Sequence, residues 1–496
     1  MDSIPDTRVR CARHLPVRTY SHCHSSRTAR ISTTRARIGA RDFTNQENPL
    51  MIRLLPLSIL ISALAGIASA AAPSDNNLGV VHMQPNTKPT VIAVCPFNVT
   101  GSGVEVETVP RIIRNDLELS GWFKSPPDQG AVNRLNLYDN RSGQIHFDEW
   151  TQMGVENYLM GKMTEDATSY HIQILLYDIK SQRTVITREF VDRKERLRDL
   201  SHQVSDAVIK FLKGVDGATR TKLLYVTERV PGTKEIGIMD ADGFNAKPVT
   251  NLGKLATSPS WGANGTEAYF TSYHGNRANI YGMQLRPDAS LDFIPGSMWT
   301  IAAYGGTNHS ATWSQAAGEI AMVLSKDGNS EIYESKRDGS SLKRLTQSKF
   351  TEGSPAWSPD GRRVAFATNE AGGVQLFTMN ADGSGKRQLT TRGSWNDAPS
   401  WSPAGDKIAF VSRIGGANEI FLISANGGEY HRLTEGQRNN ESPVWAPDNS
   451  HIAFSSNRSG TWQIYMMLDD GSSQKQLTST GRSTLPDWGP NPGKAK

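Results

Sequence analysis

The sequence predicts an α/β N-terminal domain followed by an all-β six-bladed propeller. Three observations predict it. A short segment ending in Trp recurs six times, at Trp261, Trp313, Trp357, Trp401, Trp445 and Trp488, and the three central steps are identical in length. Between these Trp residues, short β-type runs are separated by Asp-Gly and Gly-Gly turns, which is the grammar of a repeated four-stranded blade. Before them, residues 90–213 mix apolar strand-like runs with stretches of helical periodicity. At 496 residues the chain is also too long for one core.

The N-terminal 72 residues read as leader. Met51-Ile52-Arg53 is a short positive region, Leu54 to Ile67 is mostly apolar, and Ala68-Ser69-Ala70 is a small-x-small cleavage site. The stretch is interrupted by Pro56, Ser58 and Ser62, and it reads as a secretory signal peptide rather than a membrane span. Met51 is therefore expected to be the true start. Residues 1–50, rich in Arg, Ser and Thr and without apolar periodicity, are expected to be a mis-called or disordered extension. A bipartite transit peptide is the alternative. The formal net charge of +5 belongs to this leader. Residues 1–50 hold nine Arg and four acidic residues, and Arg53 adds one more basic group, which leaves 44 basic and 45 acidic residues for the rest. The apparent basicity is thus no argument for nucleic-acid binding. Cys11 and Cys23 also fall in the leader, so Cys95 stands alone in the mature chain and no intramolecular disulfide can form.

Residues 73–218 are expected to form a compact α/β domain. Thr90 to Val94 is a continuous apolar run, as in a strand covered on both faces. Val104 to Leu119 places Val109, Ile112, Ile113 and Leu117 at helical spacing. A second short helix is expected around Trp150, and strands at Tyr158–Met163, His171–Tyr177 and Val185–Val191. The clearest helix is Lys194 to Lys213, with Leu197, Leu200, Val204, Val208 and Phe211 on one face and Gly214 at the position of a C-cap glycine. A short strand is expected within Leu78–His82.

Residues 219–496 carry the repeats. Ser354-Pro355-Ala356-Trp357-Ser358-Pro359-Asp360-Gly361 is the fullest form of the motif. It is followed by expected strands Arg363–Thr368, Val374–Met379 and Arg387–Thr390, and the same order recurs in the other units. The last Trp488 lies too close to the C-terminus to head a complete unit. Three orphan strands, Lys222–Thr227, Glu235–Asp240 and Lys247–Thr250, are available at the other end of the repeats. The C-terminal strand is therefore expected to close the ring by completing a blade begun by residues 221–251. One Trp per unit at fixed register reads as packing between blades rather than a binding site.

The export signal, the α/β region whose first strand ends Val94-Cys95-Pro96-Phe97, and the six Trp-led repeats together resemble the TolB family, periplasmic components of the Tol-Pal system. The resemblance covers essentially all of residues 73–496. It implies a non-enzymatic protein-binding scaffold in the periplasm, serving outer-membrane integrity and cell division. The implied partners are the peptidoglycan-associated lipoprotein (Pal) at the propeller rim and TolA through the N-terminal segment. It implies peripheral attachment to the membrane through partners only. The chain departs from the family pattern after Trp313, where Ser314-Gln315-Ala316-Ala317-Gly318 replaces the usual turn, and around Arg286–Gly306, where the repeat is longer.

The candidate partner-binding residues are those just before each Trp segment: Asn308, His309, Thr351, Glu352, Asn396, Asp397, Asn440 and Glu441. Repetition brings them to one rim of the ring, where short polar side chains on a rigid scaffold suit recognition of a partner. His309 has no second His or Cys at ligand spacing, so no zinc site is expected. Calcium near Glu352, Asp397 and Glu441 is chemically conceivable, yet nothing in the sequence requires a cofactor. The competing functional class is a propeller-containing serine peptidase of the prolyl-oligopeptidase type. It would need a nucleophile elbow, and no Gly-x-Ser-x-Gly follows a strand.

Overall fold

The computed structural model describes residues 81–82, 88–101, 107–286, 292–436 and 438–492; the expected extension and signal peptide lie outside the described residues. In chain order the first elements are β1 (Val81–His82), β2 (Thr90–Val94), β3 (Asn98–Val99), α1 (Thr108–Leu119), β4 (Phe123–Lys124), α2 (Gln129–Ser142) and α3 (Phe147–Gln152). They are followed by β5 (Asn157–Glu165), β6 (Ser169–Asp178), β7 (Arg183–Arg193) and α4 (Leu197–Lys213).

β2 is an apolar run because both of its faces are covered. Ile92 and Val94 pack under α1 and α4, against Ile113, Leu117, Val204 and Val208. Ala93 and Cys95 point the other way, into a second cluster with Val132, Trp150 and Tyr158 beneath α2 and α3. The sheet order is β4-β2-β5-β6-β7, with β2 parallel to β4 and β5 and the β5–β6–β7 meander antiparallel. α4 ends as expected at Gly214 in the left-handed conformation (φ 75°). Phe211, expected on its buried face, is instead 53% exposed. The buried stripe steps by four residues through Leu200, Val204 and Val208, and Leu212 continues it.

α2 escaped the sequence reading because its inward face is polar. Asn136 and Asp139 are buried there beside Val132. Asn136 accepts a hydrogen bond from Tyr158 Oη (2.7 Å), and Asp139 accepts one from Trp150 Nε1 (2.8 Å). Its ends are nonetheless well marked. Asp128 caps the Ala131 amide (2.9 Å), and Gly143 closes the helix at φ 70°.

The repeats form six antiparallel four-stranded sheets, the blades of a closed ring. Blade 1 takes its inner strand, Arg482–Trp488, from the C-terminus and its other three from Lys222–Val230, Thr233–Asp240 and Lys247–Pro248. The ring therefore closes as the sequence predicts. Blades 2 to 6 open with inner strands Ala256–Trp261, Asn308–Ser314, Glu352–Trp357, Asn396–Trp401 and Asn440–Trp445. The Trp residues bind blade to blade. Trp401 Nε1 donates to Ala356 O of blade 4, and Trp261 Nε1 donates to Asp487 O of blade 1, both at 3.1 Å.

Several outer strands are two residues long, shorter than the runs expected, such as Arg387–Thr390. A threonine hydroxyl takes over the ladder there: Thr390 Oγ1 accepts from the Leu376 amide (2.8 Å), and Thr434 Oγ1 accepts from Ile420 (2.9 Å). β1 adds a fifth strand to blade 5, running parallel to its outer strand His431–Arg432.

The α/β region sits on one end of the ring. Strand polarity places the turns from first to second strand, and from third to fourth, at that end. There Arg198 of α4 donates from Nε to Asp240 (3.0 Å) and pairs with Asp242. His451 Nε2 meets Ser120 O at 3.0 Å, and Lys475 donates to Glu118 O. The inner strands begin at the opposite end, which carries the candidate residues.

Candidate partner-docking end of the propeller

The structure brings the candidate residues to one end of the ring, yet it does not leave them as a free rim. Asn308, Glu352, Asn396 and Asn440 begin inner strands, and Asp397 and Glu441 follow directly; all six are buried. Thr351 and His309 are part-buried. The expectation of exposed loop donors is corrected on this point, because the inner strands start earlier than the Trp motif indicates. Their side chains are consumed by contacts to the preceding blade. Asn396 Nδ2 donates to Gln375 Oε1 and Arg392 O, both at 2.8 Å. Asn440 Nδ2 donates to Glu419 Oε2 (2.8 Å), and Asn308 Nδ2 donates to Ala278 O (3.0 Å) and Tyr304 O (2.9 Å).

The sequence reading missed the other half of these joints: Glu235, Glu331, Gln375, Glu419 and Gln463. A signal was present, since each precedes a threonine by the same interval, at Thr250, Thr346, Thr390, Thr434 and Thr478. The structure uses that interval directly. Thr250 donates to Glu235, Thr390 to Gln375, Thr434 to Glu419 and Thr478 to Gln463, at 2.5, 2.8, 2.5 and 2.6 Å.

The next position along each inner strand carries the charge. Burial pushes the Asp397 carboxyl above its ordinary range, against the opposing hydrogen bonds from Ser354 and the Ala398 amide (2.7 Å). Burial raises Glu441 likewise, although Asn418 donates to it at 2.7 Å and Arg482 lies near. His309 is pushed down to about 4 by burial, so it is neutral at pH 7. Beside these carboxyls, Asp397 Oδ2 and Arg482 Nε are buried with no hydrogen-bond partner. An acceptor and a donor left over beside the ring axis suit a partner that inserts a polar segment among the inner strands.

Every inner strand also bends at one bulge. Ser258, Ser310, Ser354, Ala398, Ser442 and Leu485 have φ between 48° and 54°, each beside a register shift in its blade. A non-glycine residue in that conformation costs about 1–2 kcal/mol, and such a bulge re-aims the chain on either side of it. Ala398→Gly is therefore expected to raise stability by about 0.5 kcal/mol after the flexibility cost of glycine, seen as a melting temperature higher by about 1–2 °C. A lower melting temperature would show that the bulge is unstrained.

A second cluster lies at the opposite end, between the α/β region and blade 1. Asp116, His202 and Asp242 offer donor atoms within 4.8 Å of one another, the spacing a metal ion requires. Asp242 is already engaged by Arg198 and by Asn115 (3.2 Å), and His202 Nδ1 meets Asp116 Oδ2 at 2.7 Å. Burial opposes the charge on His202, but the Asp116 carboxylate outweighs it and holds the imidazole above its ordinary value. The cluster acts as an ion-paired clasp between the two regions.

Comparison with known proteins agrees with this architecture in both regions. The model of the TolB amino-terminal domain matches residues 80–185, and that of the TolB beta propeller domain matches residues 209–414 and 394–495. A Tol-Pal system protein TolB of Hydrogenovibrio crunogenus is 33% identical over 195 residues, covering 38% of this chain and 44% of that protein. The protein of the same name in Pseudomonas aeruginosa is 30% identical over 230 residues, covering 45% of this chain and 51% of its own length. The chain thus spans about half the length of the curated relatives it matches. The crystal structure of TolB from Acinetobacter baumannii superposes with a TM-score of 0.70 over 82% of this chain and 98% of that one, at 22% identity, which speaks for the fold. With the propeller model alone matching more than half of its residues, the chain belongs to the TolB family.

Proposed function

We propose that the chain is a non-catalytic docking protein of the Tol-Pal envelope system, working in the periplasm. In this reading it receives the peptidoglycan-associated lipoprotein on the propeller end where the inner strands begin, and it engages TolA through its N-terminal segment. Family membership supports the system. The observation that carries the docking end is the arrangement of the two ends of the ring. The α/β region covers the turns at one end, whereas the other gathers Asp397, Glu441 and Arg482 with unpartnered polar atoms among them. No helix among the described residues is long and apolar enough to cross a membrane, which fits attachment through partners.

The test uses isosteric changes, because charge reversal of buried carboxyls would unfold the blades. Asp397→Asn combined with Glu441→Gln is expected to weaken binding of the purified lipoprotein at least about tenfold by calorimetry, the scale of a central contact at an interface. Asp338→Asn with Asp382→Asn, in exposed turns at the end nearer the α/β region, is expected to leave it unchanged. Loss of binding only with the second pair would place the partner on the other end.

A further inference from the structure

The joints between blades 3 and 4, 4 and 5, and 5 and 6 reuse two positions. They are filled by Glu331 with Glu352, Gln375 with Asn396, and Glu419 with Asn440. At the second and third of these joints the inner-strand asparagine supplies an N–H donor to its partner, at 2.8 Å in each case. At the first joint both residues are acids, with exposures of 0% for Glu331 and 1% for Glu352.

One oxygen of each carboxyl is well supplied. Glu331 Oε1 accepts from Arg344 Nη2 (2.7 Å) and the Ser348 amide (2.9 Å). Glu352 Oε1 accepts from Ser348 Oγ (2.7 Å), with Thr368 Oγ1 at 3.4 Å. Ser348 thus binds both carboxyls at once, one through its amide and one through its hydroxyl. The second oxygen of each, Oε2, is buried without a hydrogen-bond partner. The Thr346 hydroxyl lies beside Glu331, and the two acids act directly on each other. Two ionised carboxylates cannot share such a contact without a proton or cation between them. We propose that Glu331 and Glu352 share one proton across their Oε2 atoms. Glu352, as a neutral acid, then supplies the donor that Asn396 and Asn440 supply at the neighbouring joints, and blade 4 opens on a proton-responsive contact.

The surrounding charges fix which group keeps the proton. Arg344 binds Glu331, with Asp327 in turn 3.7 Å from Arg344, so the anion belongs on Glu331. Burial, then the Glu331 carboxylate, pushes Glu352 up to about 8, against the hydrogen bond from Ser348 and the weaker pull of Lys386. A raised value means that the stabilising contribution is whole below the ordinary glutamate range and is lost as pH rises through about 8.

The experiment follows unfolding of the full chain from pH 5 to 9 and the carboxylic-acid carbonyl band by infrared spectroscopy. One linked proton changes the folding equilibrium by up to about tenfold per pH unit. Glu352→Gln is expected to remove that share of the slope, and with it a carbonyl band that persists at pH 7 and titrates near 8. Glu331→Gln is expected to move that titration to lower pH. Matching pH slopes for the original chain and Glu352→Gln would overturn the proposal. So would a band unaffected by either change, or calcium bound in equal stoichiometry and lost in Glu352→Gln. If Glu352→Gln does not fold, the infrared titration of the original chain against Glu331→Gln decides alone.

Discussion

Truncation after Gly481 is expected to abolish cooperative unfolding of the propeller. The lost segment includes the inner strand Arg482–Trp488, which pairs with Lys222–Val230 and holds both neighbouring blades. Trp488 Nε1 donates to Thr221 Oγ1 (2.7 Å), and the Trp261 amide of blade 2 donates to Asp487 (2.6 Å). Leu485 packs into the cluster shared by blades 1 and 2, and its neighbour Thr484 pairs with Val226. Removing a single buried Trp costs about 3–5 kcal/mol, and a whole inner strand costs more. Total stabilities are only about 5–15 kcal/mol, so the loss is comparable to the whole. It also leaves Lys222–Val230 as an unpaired edge, the geometry that invites aggregation. Melting followed by circular dichroism should lose its single transition, and size-exclusion chromatography should show larger species. Trp488→Ala alone should lower stability by about 3–5 kcal/mol while keeping one transition. A truncated chain that melts like the intact one would refute the dependence on ring closure.

The ring was readable because its signals are local and repeated. A Trp at fixed spacing, Asp-Gly turns and two β-type runs recur often enough to fix blade number, strand order and closure. The α/β sheet was readable where strands are apolar on both faces, as in Thr90–Val94. What stayed hidden is pairing across long separations. Helix α2 buries Asn136 and Asp139, whose partners Tyr158 and Trp150 lie on other elements, so its pattern looks like surface. The burial of the candidate residues was hidden in the same way. Asn396 and Asn440 look like solvent-facing loop polar groups until Gln375 and Glu419 are placed against them. The location at one end followed from repetition; the burial did not, because polarity alone cannot distinguish a satisfied joint from a wet rim. The seating of the α/β region on blades 1 and 6 had no sequence signal, since single contacts such as Ser120 with His451 do not repeat.

His451→Ala is expected to loosen that seating more than any other single change at the joint. His451 is buried, and both of its ring nitrogens face acceptors: Nδ1 lies 2.5 Å from Asp448 Oδ2 and Nε2 lies 3.0 Å from Ser120 O. Satisfying both requires both ring protons, hence the cation. Burial works against that charge, but the Asp448 carboxylate outweighs it and raises the imidazole above its ordinary value, while Asp469 adds a smaller pull. The same pairing holds Asp448 below its ordinary range despite its burial. Trp122 of the α/β region closes over the ring edge-on at 5.2 Å. Removing the imidazole strands Asp448 and the Ser120 carbonyl in a dry contact, a loss on the order of 3–5 kcal/mol. The pH dependence has two limits. A raised histidine contributes fully below its ordinary value of 6.5 and is lost as pH rises through its folded value; a depressed aspartate contributes above its ordinary 3.8 and is lost as pH falls through its folded value. The difference in stability between the original chain and His451→Ala should therefore peak in the interval between 3.8 and 6.5 and shrink toward alkaline pH. His202, raised by Asp116 at the same joint, is present in both chains, so its own alkaline loss cancels from this difference. Chemical unfolding at closely spaced pH values, read by tryptophan fluorescence, checks both limits. A difference that stays flat from pH 4 to pH 9, or a cost below about 1 kcal/mol, the range of an exposed ion pair, would mean that His451 sits there as a neutral filler and the clasp lies elsewhere.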